Sequence, residues 1–293
     1  MLDELRWRTS VSATALYAAA CRAAGLTAAD AALSAALDKA SQRLADEVAA
    51  AGWPVVRALE LLVALSAEID NNRDLVGRAA ARMPAPASHA SLVRLAGAVS
   101  DLEAALARHD PQLHESLPLR IGPLRQQWEA RGPGMLLEIE RLTEAAALPI
   151  AAEVVLVGPY VGGHGIACAP LNRVTAEGML VNPLPELAEA VRIAWLLAQL
   201  NGDLPHYAEA LSAERSAEVV AMAMLPAALA AAEAVELLQC NESALARSLS
   251  AWRLCDEPAA APLAARLWTW WNAWLDRPHS WRVALAALER LLA

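Results

Sequence analysis

The chain has 293 residues, 57% of them hydrophobic and 19% charged, with a formal net charge of −9. That composition excludes a disordered chain and leaves ample material for a large core. The acidic balance opposes nucleic-acid binding, which needs a basic patch to release counterions from a phosphate backbone.

The opening residues, "RWRTSVSATALYAAAC", place a basic flank and small residues ahead of Cys21, as a lipoprotein export signal would. Asp3 and Glu4 fall in what should be its positive region, so the reading adopted is an ordinary first helix in a cytoplasmic protein. Cys21, Cys168, Cys240 and Cys255 are far apart and form no C-x-x-C pair, which fits reduced thiols better than a disulfide frame or a zinc site. No segment reads as a membrane span, since the charge-free run 219–232 is short and holds Pro226.

Helix signals then follow quickly. A helix starts at Thr27-x-x-Asp30 and stops at Gly52, and a second runs from Pro54 with Val55, Leu59, Leu62 and Ile69 on one stripe. "IDNNRDLVG" alternates Asp70, Asn72 and Asp74 like a calcium loop, but Leu75 stands where a glycine must turn and Ala81 where a glutamate must close. It reads as a polar helix break. His109 and His114 read as surface residues. A helix spans residues 88–109, and two shorter ones, 123–131 and 135–148, are separated by "RGPG".

After Pro149 the pattern changes. "AAEVVLVG" and "NRVTAEGMLV" read as strands, joined by the glycine segment "GPYVGGHG" or by a third short strand at "GIACA". Helix resumes at residues 186–200, continues through 205–238 with a bend near Pro226, then 242–254, 262–276 and 280–292. The expected fold is mainly α, a multi-helix globular fold with a small antiparallel β insert around residues 152–182. The expected segments are an N-terminal helical region (1–148), the insert (149–184) and a C-terminal helical region (185–293), with 149–240 as centre if the whole is one domain.

The glycine segment supplies flexible N–H groups around His164, a residue able to act as acid, base or ligand. Phosphate cradles run straight into a helix with Lys-Ser/Thr or G-x-G-x-x-G spacing, and neither is present here. A glycine-rich turn is the plainer reading. In "PLAARLWTWWNAWLD" Trp268, Trp270, Trp271 and Trp274 share one broad arc, which reads as a buried face or as a protein interface.

The helix "PELAEAVRIAWLLAQLN" is apolar nearly all round except near Arg192, Gln199 and Glu189, so it belongs in the middle of the fold. Small sheet, central helix, further helices is an order that resembles the zincin metallopeptidases. On their H-E-x-x-H helix, "AWLLAQ" places Trp195 at the first ligand, Leu196 at the catalytic glutamate and Gln199 at the second ligand. In the glutamate-zincin branch the third ligand corresponds to Glu218, and the resemblance covers residues 153–224. Trp195 and Leu196 can neither bind zinc nor take a proton, so the resemblance implies a degenerate, metal-free core.

No constellation supplies a nucleophile, a metal set or a phosphate cradle, so the expectation is a non-catalytic interaction or scaffold module, or a pseudoenzyme on the degenerate zincin-like core. It would have no cofactor or metal, and its partner would be another protein. The alternative is a metal-independent hydrolase or acid/base enzyme gathering His164, Glu177, Arg192 and Glu218 near the insert. The two are told apart by whether those four side chains meet in one cleft.

Overall fold

The computed structural model describes residues 2–144, 147–180 and 184–293, with the backbone alone for residue 208. In chain order the elements are β1 (Glu4–Thr9), α1 (Val11–Ala23), α2 (Ala31–Ala50), α3 (Val55–Leu65), α4 (Asn72–Ala80), α5 (His89–His109), α6 (Leu113–Leu119) and α7 (Ile121–Leu142). Next come β2 (Ala151–Val157), β3 (Gly165–Cys168) and β4 (Arg173–Glu177). The chain closes with α8 (Glu189–Ala198), α9 (Pro205–Ala208), α10 (Ser216–Ala234), α11 (Glu242–Ala251), α12 (Glu257–Asp276) and α13 (Trp281–Leu292). The fold is mainly α with a small β element, as expected.

The strand directions are not those expected. The sheet order is β1-β2-β4-β3, with β1 parallel to β2, β2 parallel to β4, and only β3 antiparallel to β4. The hairpin is β3–β4, not β2–β4. The chain leaves β2, passes through the glycine segment and travels back as β3. It then reverses at a 3-10 turn, Ala169–Leu171, where Asn172 takes φ +47°. β4 therefore runs in the direction of β2 and slots between β2 and β3. The expected strand over 172–181 ends at Glu177, and its last residue lies outside the described residues. The N-terminus contributes a further strand ahead of the first helix, with Glu4 opposite Ala151 and Thr9 opposite Leu156. Ser10 then caps α1, its side chain accepting from the Ala13 N–H, and Cys21 sits buried inside that helix.

The sheet is a middle layer and not a lateral insert. Val154 and Leu156 of β2 join a core made with α7, α8 and α10–α13, while Val155 and Val157 join a second core with α1–α5. A strand covered on both faces reads as a continuous apolar run, which is why "VVLV" shows no alternation. α7 belongs to the C-terminal core although it precedes the sheet in sequence. Among the described residues one helix, α10, is long and apolar enough to cross a membrane, and 67% of that window is buried inside the protein. Those are the properties of a central core helix.

Local chemistry accounts for most helix ends. Asn71 caps α4 by accepting from Arg73 and Asp74 N–H groups, so the calcium-like stretch is a helix start. Ser88 and Asn241 cap α5 and α11. α2 is capped by Asp30, not Thr27, with the Asp30 carboxylate accepting from Ala32 N–H at 2.8 Å. α8 begins at Glu189, three residues later than expected, and α12 begins five residues earlier.

"RGPG" does not break the chain: α7 runs through it with Pro133 inside. Gly132 lets the Trp128 ring fold back over its own helix, because a Cβ there would lie 2.3 Å from a ring carbon. Alanine is the better helix former by about 1 kcal/mol, yet displacing a buried ring costs more. Gly132→Ala is therefore expected to lower stability by roughly 1–3 kcal/mol in urea unfolding. A stabilised variant would show that the ring moves aside freely.

The tryptophan helix is mostly core, the buried face that was the first of its two readings. Trp270, Trp271 and Trp274 are buried and cluster with Trp281, and the indoles of Trp270 and Trp274 donate to Ala284 and Leu142 carbonyls at 3.0 and 2.9 Å. Trp268 alone of the four is part-exposed.

Candidate functional site

The glycine loop after β2 is shaped like an anion cradle, and the protein fills it with its own carboxylate. Glu177, fully buried at the end of β4, accepts from the Tyr160 and Val161 N–H groups through Oε1, at 2.9 and 2.6 Å. Its Oε2 accepts from Gly162, Gly163 and His164, at 2.7, 2.6 and 3.4 Å. Five successive N–H groups converge because Gly162 and Gly163 adopt φ of +97° and +112°, a backbone conformation that costs other residues strain. Arg192, also fully buried, reaches in from the first turn of α8. It donates to the His164 and Glu177 carbonyls and pairs with Glu189. The loop is thus clasped on its N–H side by one buried charge and on its carbonyl side by another.

His164 faces α1. Its Nδ1 lies 2.7 Å from the Tyr17 hydroxyl and 3.8 Å from Cys21 Sγ. Burial pushes the His164 imidazolium down to about 4, opposed by Glu177 and assisted by Arg192 and Arg253. The ring is neutral near pH 7, so one ring nitrogen donates and the other accepts. Burial likewise holds the Tyr17 hydroxyl and the Cys21 thiol well above their ordinary range, which leaves Cys21 an unreactive thiol.

Three of the four residues expected for an acid/base site therefore meet, and the fourth does not. Glu218 is exposed and pairs with Arg215 at 3.4 Å. The positions aligned with zincin ligands also diverge. The Trp195 indole donates to the Ala221 carbonyl at 2.8 Å and stacks on Trp252 with centroids 5.0 Å apart. Leu196 is buried against Gly165, where a Cβ would lie 2.5 Å from its methyl carbon. The Gln199 amide donates back to the Trp195 carbonyl at 3.1 Å. Among the described residues no three His, Cys, Asp or Glu side chains gather to hold a metal ion.

Beside the clasped loop opens a cleft of about 480 Å³, within the range of small-ligand sites. Gly162 and Gly163 form one wall with Glu189, and Trp252, Leu184, Leu187 and Ala260 give it an apolar lining. Arg247 and Arg253 stand on its rim with Ser250 and Glu257. Arg247 holds Glu186 only at 3.9 Å. The Arg253 side chain is exposed, forms no hydrogen bond or ion pair among the described residues, and lies close enough to His164 to oppose its protonation.

Arg253 also departs from its local rule. It follows α11 with φ +57°, its N–H bonded to the Ser250 carbonyl and the next N–H to Leu249. That is the position where a helix end favours glycine. Sequence reading missed Arg253 because its strain is invisible until the backbone is known. It missed Tyr17 and Cys21 because nothing in the sequence ties α1 to the loop 140 residues away. A scan of protein-family models and searches of curated proteins and solved structures match nothing to this chain.

Proposed function

We propose that the protein is a non-catalytic interaction module whose recognition element is the cleft between the glycine loop and the α11–α12 corner, and that it takes the carboxyl end of a partner chain. The observation that carries this reading is Arg253: a charged side chain without a partner among the described residues, at a position where glycine would fold better, beside an apolar cleft. A backbone outlier retained against its cost is a mark of use. A carboxylate on Arg253 and an apolar side chain on Trp252 would satisfy the two halves of the lining. The space suits one or two side chains and not a whole helix.

The rigidity of the wall supports the same reading, since buried charges that hold a loop pre-organise it for binding. Against an acid/base enzyme here, the Glu177 and Arg192 side chains are spent on backbone groups, and Glu189 is tied to Arg192. The reading stands whether or not residues 153–224 descend from a zincin core.

The test uses short peptides with an apolar last residue, each as free acid and as amide, titrated by calorimetry. The acid should bind and the amide bind roughly tenfold or more weakly. Arg253→Gly should abolish that preference while raising folding stability by roughly 1 kcal/mol. Equal binding of acid and amide, or an unchanged preference in the variant, would remove the basis for the proposal.

A further inference from the structure

The outer edge of β1 is open. Glu4 and Ser10 turn their N–H groups toward β2, to the Ile150 and Leu156 carbonyls at 3.3 and 3.4 Å. Alternation along a strand then sends the N–H and C=O groups of Leu5, Trp7 and Thr9 the other way. Among the described residues nothing bonds to them. α7 covers one face of the strand, where Trp7 meets Trp128 edge-on at 6.5 Å, but β1 remains the last strand of the sheet on that side. An open edge of six residues is a template for another strand.

The side chains say which strand fits. Glu4 and Arg6, both more than half exposed, project from the same face and pair with each other at 2.7 Å. We infer that the edge is an interface between two copies of this chain, paired antiparallel about a two-fold axis at Leu5. In that register Leu5 meets Leu5 of the second copy as a hydrogen-bonded pair, which is the type of pair its outward groups require. Glu4 of each copy then stands opposite Arg6 of the other, two opposite-charge cross-strand pairs at the closer, non-hydrogen-bonded sites. Sliding the strands by one step sets Arg6 against Arg6 and moves Glu4 opposite Arg8, whose guanidinium is already held by Glu153 at 3.0 Å, and by another sets Arg6 against Arg8. Charge therefore selects one register out of three.

Sedimentation velocity at tens of micromolar should show the wild type as a dimer. Glu4→Arg and Arg6→Glu should each weaken it roughly tenfold or more, because each replaces two attractive pairs by two repulsive ones. The double variant E4R/R6E should dimerise again, and an equimolar mixture of the two single variants should form a heterodimer. Both sites are solvent-exposed, and unchanged thermal unfolding of the single variants would show that the fold is kept. A wild type that stays monomeric overturns the proposal. So does a dimer that neither single change weakens, since its contact would then lie elsewhere.

Discussion

Glu177→Gln is expected to cost about 3 kcal/mol of folding stability, the largest effect of any single conservative change in the loop. A glutamine offers one acceptor oxygen where the carboxylate offers two, and it turns an NH2 group toward N–H donors that already converge. Two or three of the five loop N–H groups would be left buried without an acceptor. Arg192 keeps its bonds to the His164 and Glu177 main-chain carbonyls and its pair with Glu189, so the cost arises at the loop N–H groups. Urea unfolding gives the magnitude, and amide hydrogen exchange locates it: protection should fall first at Tyr160–His164. A loss under about 0.5 kcal/mol would mean that glycine geometry alone holds the loop.

The second large effect is acid sensitivity. His164 titrates near 4 in the folded protein against an ordinary value of 6.5, so the unfolded chain binds the extra proton first as pH falls. The contribution is therefore fully present above pH 6.5 and is lost progressively down to about 4, reaching about 3 kcal/mol. The groups facing the ring set this together: Tyr17 and Cys21 from α1, Glu177 from β4, Arg192 from α8 and Arg253 beyond α11. Glu60, pushed up to about 6 by burial, gains stability over part of the same window and masks some of the loss. The clean measurement is the difference between wild type and His164→Gln, followed by chemical denaturation from pH 7 to 4.5. Parallel stability curves for the two proteins would contradict the burial of the imidazole.

Much of the architecture was legible before any coordinates. Ser88 and Asn241 announced helix starts because an N-cap is a local bond between residues three apart, whereas Asn71, a cap of the same kind, passed as a polar helix break. Gly52 announced a stop for the same kind of reason. Pairing partners were not legible, because parallel and antiparallel neighbours differ only in how the chain travels between strands. β1 is an instructive miss: "ELRWR" alternates polar and apolar residues, a strand signal that the basic flank and the small residues after it obscured. "RGPG" misled in the other direction, since α7 runs on through Pro133 while packed against α8 and α10. His164, Glu177 and Arg192 were correctly placed near one another, but their chemistry could not be read without knowing that two of them are consumed by backbone groups. Glu218 shows the limit of spacing arguments, since α10 turns it to solvent.

The filled cradle of the glycine loop makes the protein a host that is synthesised with its guest attached. A tethered carboxylate acts at an effective concentration far above that of any dissolved phosphate or carboxylate, so an outside anion cannot displace it by mass action. Removing the tether reverses this. In a Glu177→Gly protein the vacated N–H groups become a receptor for small anions, and added formate or acetate should restore part of the lost stability in proportion to its concentration.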